Sequence, residues 1–198
     1  MKTVLYLHGF LSSPASEKVR ILREALSAKY PSVKLIAPDM NYPPRCIDTL
    51  LGEIAARIDL RETAVVGSSL GGFYALRFAR RYGTRVTLLN PCLDPWRFIP
   101  DFVGTQTVYG TTRKLEVRAE FEQDFQDLNR VCPAEIAPGS RVLTLISTAD
   151  EVLPFEKTLA ATRGSRQVIL TGEDHRISGF GRWVDLVMDF SLRECPPA

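Results

Sequence analysis

Val65-Val66-Gly67-Ser68-Ser69-Leu70-Gly71-Gly72-Phe73 passes from a β-branched run, through a turn, into an apolar helix. The pattern inside it is Gly-x-Ser-x-Gly, and its register depends on which serine is central. Centred on Ser68, the flanking residues are Val66 and Leu70, and the pattern fails. Centred on Ser69, they are Gly67 and Gly71, and it holds. A strand, a sharp turn and a helix form the setting that makes this short pattern a nucleophile elbow. Such a turn lifts the serine Oγ above a sheet. Side chains at positions 67 and 71 would collide with the neighbouring strand or helix. The helix start adds free N–H groups and the positive end of a dipole.

Working outward, the elbow joins a strand over Thr63–Val66 to a helix over Leu70–Tyr82. Further strands are expected at Val4–Leu7, Val33–Ala37, Arg85–Leu89, Val142–Ile146 and Gln167–Leu170. Helical patterns lie between them. One starts at Ser16 as N-cap and runs to Tyr30 with Val19, Leu22 and Leu26 on one face. Others cover Ile47–Ile58, Phe155–Thr162 and Phe180–Leu192. Strand–helix alternation predicts an α/β fold of three layers, a mostly parallel sheet with helices on both faces. Residues 92–139 break the rhythm, because one crossover needs far fewer. With a helical pattern over Glu116–Leu128, that segment reads as a helical, lid-like insertion in a single domain spanning 1–198. Pro196-Pro197-Ala198 reads as a frayed tail.

Composition narrows the function. The chain is 45% apolar and 24% charged, near globular averages. A net charge of +2 is too small and dispersed for a nucleic-acid groove or an anionic membrane surface. Arg77, Arg80, Arg81 and Arg85 cluster at a helix end, where cations suit the dipole, and read as solvated surface. Cys46, Cys92, Cys132 and Cys195 have wide, irregular spacings and read as reduced thiols of a cytoplasmic protein. No apolar run approaches the ~20 residues of a membrane span, and the run at Thr3–Leu7 is too short for a signal-peptide core. Two distant histidines make no metal-ligand cluster, and no phosphate loop or dinucleotide fingerprint occurs. Neither metal nor cofactor is therefore expected.

A serine nucleophile needs a base, and the chain contains two histidines, His8 and His175. In this kind of fold the chain order is nucleophile, acid, base. His175 fits, in the loop Thr171-Gly172-Glu173-Asp174-His175 after the last strand. The acid belongs after Val142–Ile146, where Asp150 leads and Glu151 and Asp174 are rivals. An oxyanion hole needs two aimed N–H donors. Leu70 supplies one. Phe10, in the loop His8-Gly9-Phe10-Leu11, supplies the other, with Gly9 permitting an unusual backbone. All these residues follow carboxyl ends of strands, the rim where such sheets bind ligands. Trp96, Phe98, Phe102 and Tyr109 sit early in the insertion. They either anchor it or line an apolar acyl pocket.

Taken together, several stretches resemble the YqiA-like esterases, small bacterial α/β hydrolases. They are Leu5-Tyr6-Leu7-His8-Gly9-Phe10 with Ser12-Ser13-Pro14, Val66–Gly72, Asn90-Pro91, Asp150-Glu151-Val152 and Asp174-His175. The likeness spans nearly the whole chain. Arg176-Ile177-Ser178 departs from it, where a smaller, less charged continuation is expected. The resemblance implies an α/β-hydrolase sheet lacking the two leading strands of larger relatives, in the order 2-1-3-4-5-6. It also implies esterase activity through Ser69, Asp150 and His175. The expected function is thus a carboxylesterase-type serine hydrolase. Its partner would be a small-molecule ester or thioester of short to medium acyl chain, with neither nucleic acid nor membrane involved. Two alternatives share the framework: a catalytically silent binding protein, and an acyltransferase or perhydrolase using the same residues.

Overall fold

Strands β1 (Thr3–Leu7), β2 (Lys34–Ile36), β3 (Thr63–Ser68) and β4 (Arg85–Leu89) come first in the chain. A pair, β5 (Gly104–Thr107) and β6 (Lys114–Val117), precedes β7 (Val142–Ser147) and β8 (Arg166–Leu170). These are read from a computed structural model that describes residues 1–137 and 141–193. Six strands form one parallel sheet in the order β2-β1-β3-β4-β7-β8. Counting sheet strands alone, that is 2-1-3-4-5-6. β1, β3 and β7 are buried along their whole length, as continuous apolar runs in a parallel sheet should be.

The helices are α1 (Glu17–Lys29), α2 (Pro44–Ala55), α3 (Leu70–Tyr82), α4 (Glu120–Val131), α5 (Phe155–Ala161) and α6 (Val184–Leu192). Side-chain alternation along the strands feeds two cores. Leu5, Leu7, Val65 and Leu88 pack with Ile47 and Leu51 of α2 and Phe73 and Leu76 of α3. Val4, Tyr6, Val66 and Leu89 pack with Val19 and Leu22 of α1 and Val187 and Met188 of α6. The result is the three-layer α/β-hydrolase fold. Among the described residues no helix is long and apolar enough to cross a membrane.

Several local expectations need correction. Ser16 occupies the N-cap position of α1, but its hydroxyl makes no capping bond. α2 begins at Pro44, where the missing N–H costs nothing, and ends at Ala55 rather than Ile58. The insertion is only partly helical. It holds two 3-10 turns (Pro95–Arg97 and Ile99–Phe102), the antiparallel hairpin β5–β6, and α4. Glu116 and Val117 belong to β6, not to a helix. Lys114-Leu115-Glu116-Val117 alternates exposed and buried, the period of a strand.

Arg77 is the other correction. It is buried, not solvated, and donates to the carbonyl oxygens of Leu128 and Cys132 and to Asp48. It lies on the apolar stripe of α3 with Leu70, Phe73 and Tyr74, so the helix turns it inward. There it caps the end of α4, sharing the Leu128 carbonyl with Cys132 N–H, and ties the insertion to α3 and α2. Arg80 and Arg81 are exposed. The expected tail at 196–198, Cys195 and the end of the insertion at Gly139 lie outside the described residues.

Candidate active site

The turn between β3 and α3 is held by close packing. Ser69 has φ 53° and ψ −121°, a left-handed backbone for a residue with a side chain. A Cβ on Gly67 would lie 2.4 Å from the Gly71 carbonyl oxygen and 2.5 Å from Ala75 Cβ. One on Gly71 would lie 2.0 Å from the Leu7 carbonyl oxygen. Helix and strand can approach this closely only because both positions lack side chains. Ser69 N–H donates to the Leu89 carbonyl at 2.9 Å, and the Ser69 carbonyl accepts from Gly72 and Cys92. Among the described residues, four other than glycine have positive φ: Leu11, Ser69, Asn90 and Ile177. All four sit in loops at the carboxyl rim. Each such conformation costs on the order of 1–3 kcal/mol, and strain of this kind gathers at functional sites.

The rim brings Ser69, His175 and Asp150 into one row. His175 Nε2 lies 3.0 Å from Ser69 Oγ. His175 Nδ1 lies 2.8 Å and 3.0 Å from the two oxygens of Asp150. The same carboxylate accepts from the N–H groups of Val152 at 2.9 Å and Leu153 at 2.7 Å, which fixes its rotamer. With Nδ1–H donating to Asp150, the lone pair of Nε2 faces the hydroxyl. The two rivals are occupied elsewhere. Glu151 accepts the backbone N–H of His175 at 2.9 Å. Asp174 accepts the N–H of Ser178 at 2.8 Å and its hydroxyl at 2.7 Å. Burial pushes the Asp174 carboxyl up, but these bonds and nearby Lys18 outweigh it and hold it low.

The loop after β1 forms the opposite wall. Gly9 has no positive φ, contrary to the expected unusual backbone; what it provides is room. A Cβ there would lie 3.2 Å from Ser69 Cβ. Among the described residues neither Phe10 N–H nor Leu70 N–H has an acceptor in the hydrogen-bond network. His8 shapes this loop from beneath. Its Nδ1–H donates to the Gly9 carbonyl at 2.8 Å, and its Nε2 accepts Met40 N–H at 2.9 Å. Burial pushes its pKa down to about 4; the Gly9 bond opposes this and the charge of Arg113 reinforces it. His8 is therefore a neutral, structural imidazole.

The four insertion aromatics separate. A cleft of about 390 Å³ is lined by Cys92, Leu93, Trp96, Phe98, Leu153 and Lys157, among others, and by none of Ser69, His175 and Phe10. Phe102 instead packs edge-on against Phe10, with ring centroids 5.2 Å apart. Phe98 touches that pair as well, 5.9 Å from each ring. Tyr109 is 60% exposed, lies under the Arg176 guanidinium and does not line this cleft. Two contributors carried no signal as site residues in the sequence. Glu173 is buried and binds Gly179 N–H, Arg182 and Trp183, shaping the histidine loop. Asn90 stood in the family-like Asn-Pro pair, but nothing in the pattern gave it a role.

Comparison with known proteins fits this picture at two levels. The α/β-hydrolase fold recurs in Est1E from Butyrivibrio proteoclasticus, with a TM-score of 0.71 at 16% identity over 98% of this chain and 88% of that one. It recurs in the esterase domain of a Rhodothermus marinus protein, with a TM-score of 0.62 at 15% identity over 97% and 88%. In sequence, a UPF0227 protein of Serratia proteamaculans is 26% identical over 153 residues, 76% of each chain. A relative from Shewanella sp. (strain ANA-3) is 28% identical over 167 residues, 81% of this chain and 82% of that one. The model of the uncharacterised protein family UPF0227 matches residues 3–192, and the chain belongs to that family, the YqiA-like proteins.

Proposed function

We propose that the protein is a serine hydrolase that cleaves carboxylic esters or thioesters through an acyl-enzyme. The observation that carries this reading is the row Asp150–His175–Ser69, with 2.8 Å and 3.0 Å steps, ending on a strained turn. Ser69 Oγ attacks the substrate carbonyl carbon while its proton passes to His175 Nε2. The carbonyl oxygen becomes an oxyanion and accepts the N–H groups of Phe10 and Leu70. Collapse breaks the bond to the leaving alkoxide or thiolate, which takes the proton from Nε2. Water then attacks the acyl carbon while its proton passes to the same nitrogen, and collapse breaks the bond to Ser69 Oγ, which takes that proton back as the acid leaves. Asp150 holds the tautomer and stabilises the imidazolium.

The acyl group belongs in the cleft lined by Trp96 and Leu153. Its wall includes Cys92, bonded to the Ser69 carbonyl, and Leu153, bonded to Asp150. Each methylene buried there contributes about 0.8 kcal/mol. On p-nitrophenyl esters from acetate to palmitate, kcat/KM should rise with acyl length and level off at short to medium chains. Trp96→Ala should flatten that rise, and Tyr109→Ala should leave it intact. A flat response in the unmodified protein would remove the apolar-cleft assignment. Ser69→Ala should lose turnover by roughly 10⁴-fold or more while staying folded. Turnover that survives in Ser69→Ala would remove the serine mechanism itself. Cys46, Cys92 and Cys132 are free thiols, which suits a cytoplasmic location.

A further inference from the structure

Asn90 directly follows β4, the strand between β3, which leads to Ser69, and β7, which leads to Asp150. It is 1% exposed and has φ 41°, a conformation that asparagine tolerates better than most residues. Its side chain spends every polar atom on the neighbouring rim loops. Oδ1 accepts Ser147 N–H at 2.8 Å. Nδ2 donates to Ser147 Oγ at 2.8 Å, to the His175 carbonyl at 3.0 Å and to the Asp174 carbonyl at 3.2 Å. Two amide hydrogens thus serve three acceptors, so one is shared. The backbone takes part too. Asn90 N–H donates to the Leu145 carbonyl, and two residues on, Cys92 N–H donates to the Ser69 carbonyl. Pro91 packs where a Cβ on Gly72 would stand, 2.6 Å from that position.

One buried amide therefore ties the end of β7 to the backbone of the histidine loop, from a strand hydrogen-bonded to the nucleophile's own. We propose that Asn90 is a positioning residue: it sets where the His175 backbone sits, so that the imidazole reaches Ser69 Oγ and Asp150 together. The inference rests on the proposed reaction of that pair. Asn90 touches none of the reacting atoms and acts through His175. The effect is large because misplacing a reacting group by about 1 Å can cost on the order of 10²-fold in rate.

Asn90→Gly isolates the amide, since glycine keeps the positive φ without steric cost. Its kcat should fall by roughly 10- to 100-fold with KM within about threefold. The NMR signal of the His175 Nδ1 proton should exchange with water at least roughly tenfold faster, because local opening of the loop exposes it. A residue that only stabilised the fold would lower the melting temperature and leave both readings of the folded protein unchanged. That outcome overturns the proposal. If Asn90→Gly does not fold, the same readings on Asn90→Asp decide, since it keeps the acceptor for Ser147 N–H and lacks the amide hydrogens. If the unmodified protein hydrolyses no ester and takes up no fluorophosphonate, the reaction reading fails. The Nδ1 exchange comparison still decides whether Asn90 holds His175.

Discussion

His8 and His175 both follow the carboxyl end of a strand, and both have a carboxylate nearby. The carboxylate beside His8 is Asp39, 3.7 Å from Nε2, and it is committed to Arg113 and Asn41. Both ring nitrogens of His8 meet backbone groups, and the ring is buried. His175 has Asp150 at 2.8 Å on one nitrogen and a hydroxyl at 3.0 Å on the other. The difference teaches that the second nitrogen decides a histidine's use. Where it meets a backbone N–H, the ring is a strut. Where it meets a hydroxyl, the ring is placed to move a proton. In the proposed reaction the two sites are complementary, because His8 shapes the loop that would offer Phe10 N–H to the oxyanion.

The sharpest way to break this comparison is to remove each ring. His175→Ala should lower kcat/KM by roughly 10⁴-fold or more, and His8→Gln by less than about tenfold with a lower melting temperature. Reversed magnitudes would exchange the roles. Next, Asp150→Asn should lose on the order of 10³- to 10⁴-fold by leaving His175 in the wrong tautomer. Asp174→Asn should lose less than about tenfold, because its carboxylate only caps Ser178. Comparable losses in the two, or a larger one at Asp174, would move the acid.

The smallest effect is on stability. His8 is held near a pKa of about 4, below an ordinary histidine near ~6.5. As pH falls through that window the unfolded chain binds a proton that the folded chain refuses. The stabilising contribution is full above ~6.5 and is lost as pH falls toward about 4. Between pH 7 and 4.5, urea unfolding should show the intact protein losing roughly 2 kcal/mol more than His8→Gln. Equal losses would mean that His8 is not a buried neutral ring.

Much of the sheet and the elbow was legible because both rest on local rules. Glycine spacing around Ser69 reports a backbone approach that no other residue permits. Apolar runs bounded by turns report buried parallel strands. His175 could be singled out because the chain has one other histidine, and His8 precedes Ser69. Chain order favours Asp150 over Glu151 and Asp174, but adjacent residues in a loop differ only in direction, and it takes distances to show that the two rivals bond elsewhere. The hairpin at Gly104–Val117 was illegible because its strands are four residues each and polar on one face. Arg77 stands among basic residues along the chain, and only the helical period places it with Phe73 and Tyr74. The contacts of Asn90 reach 57 residues to Ser147 and 85 to His175, a separation no local pattern encodes.

The most direct measurement is tandem mass spectrometry after treating the folded protein with a fluorophosphonate. A phosphonate adduct should appear on the peptide carrying Gly67–Gly72, with fragment ions placing it on Ser69, and Ser69→Ala should abolish it. Absence of any adduct, its location on Ser68, or its persistence in Ser69→Ala would contradict the assignment of Ser69 as the nucleophile.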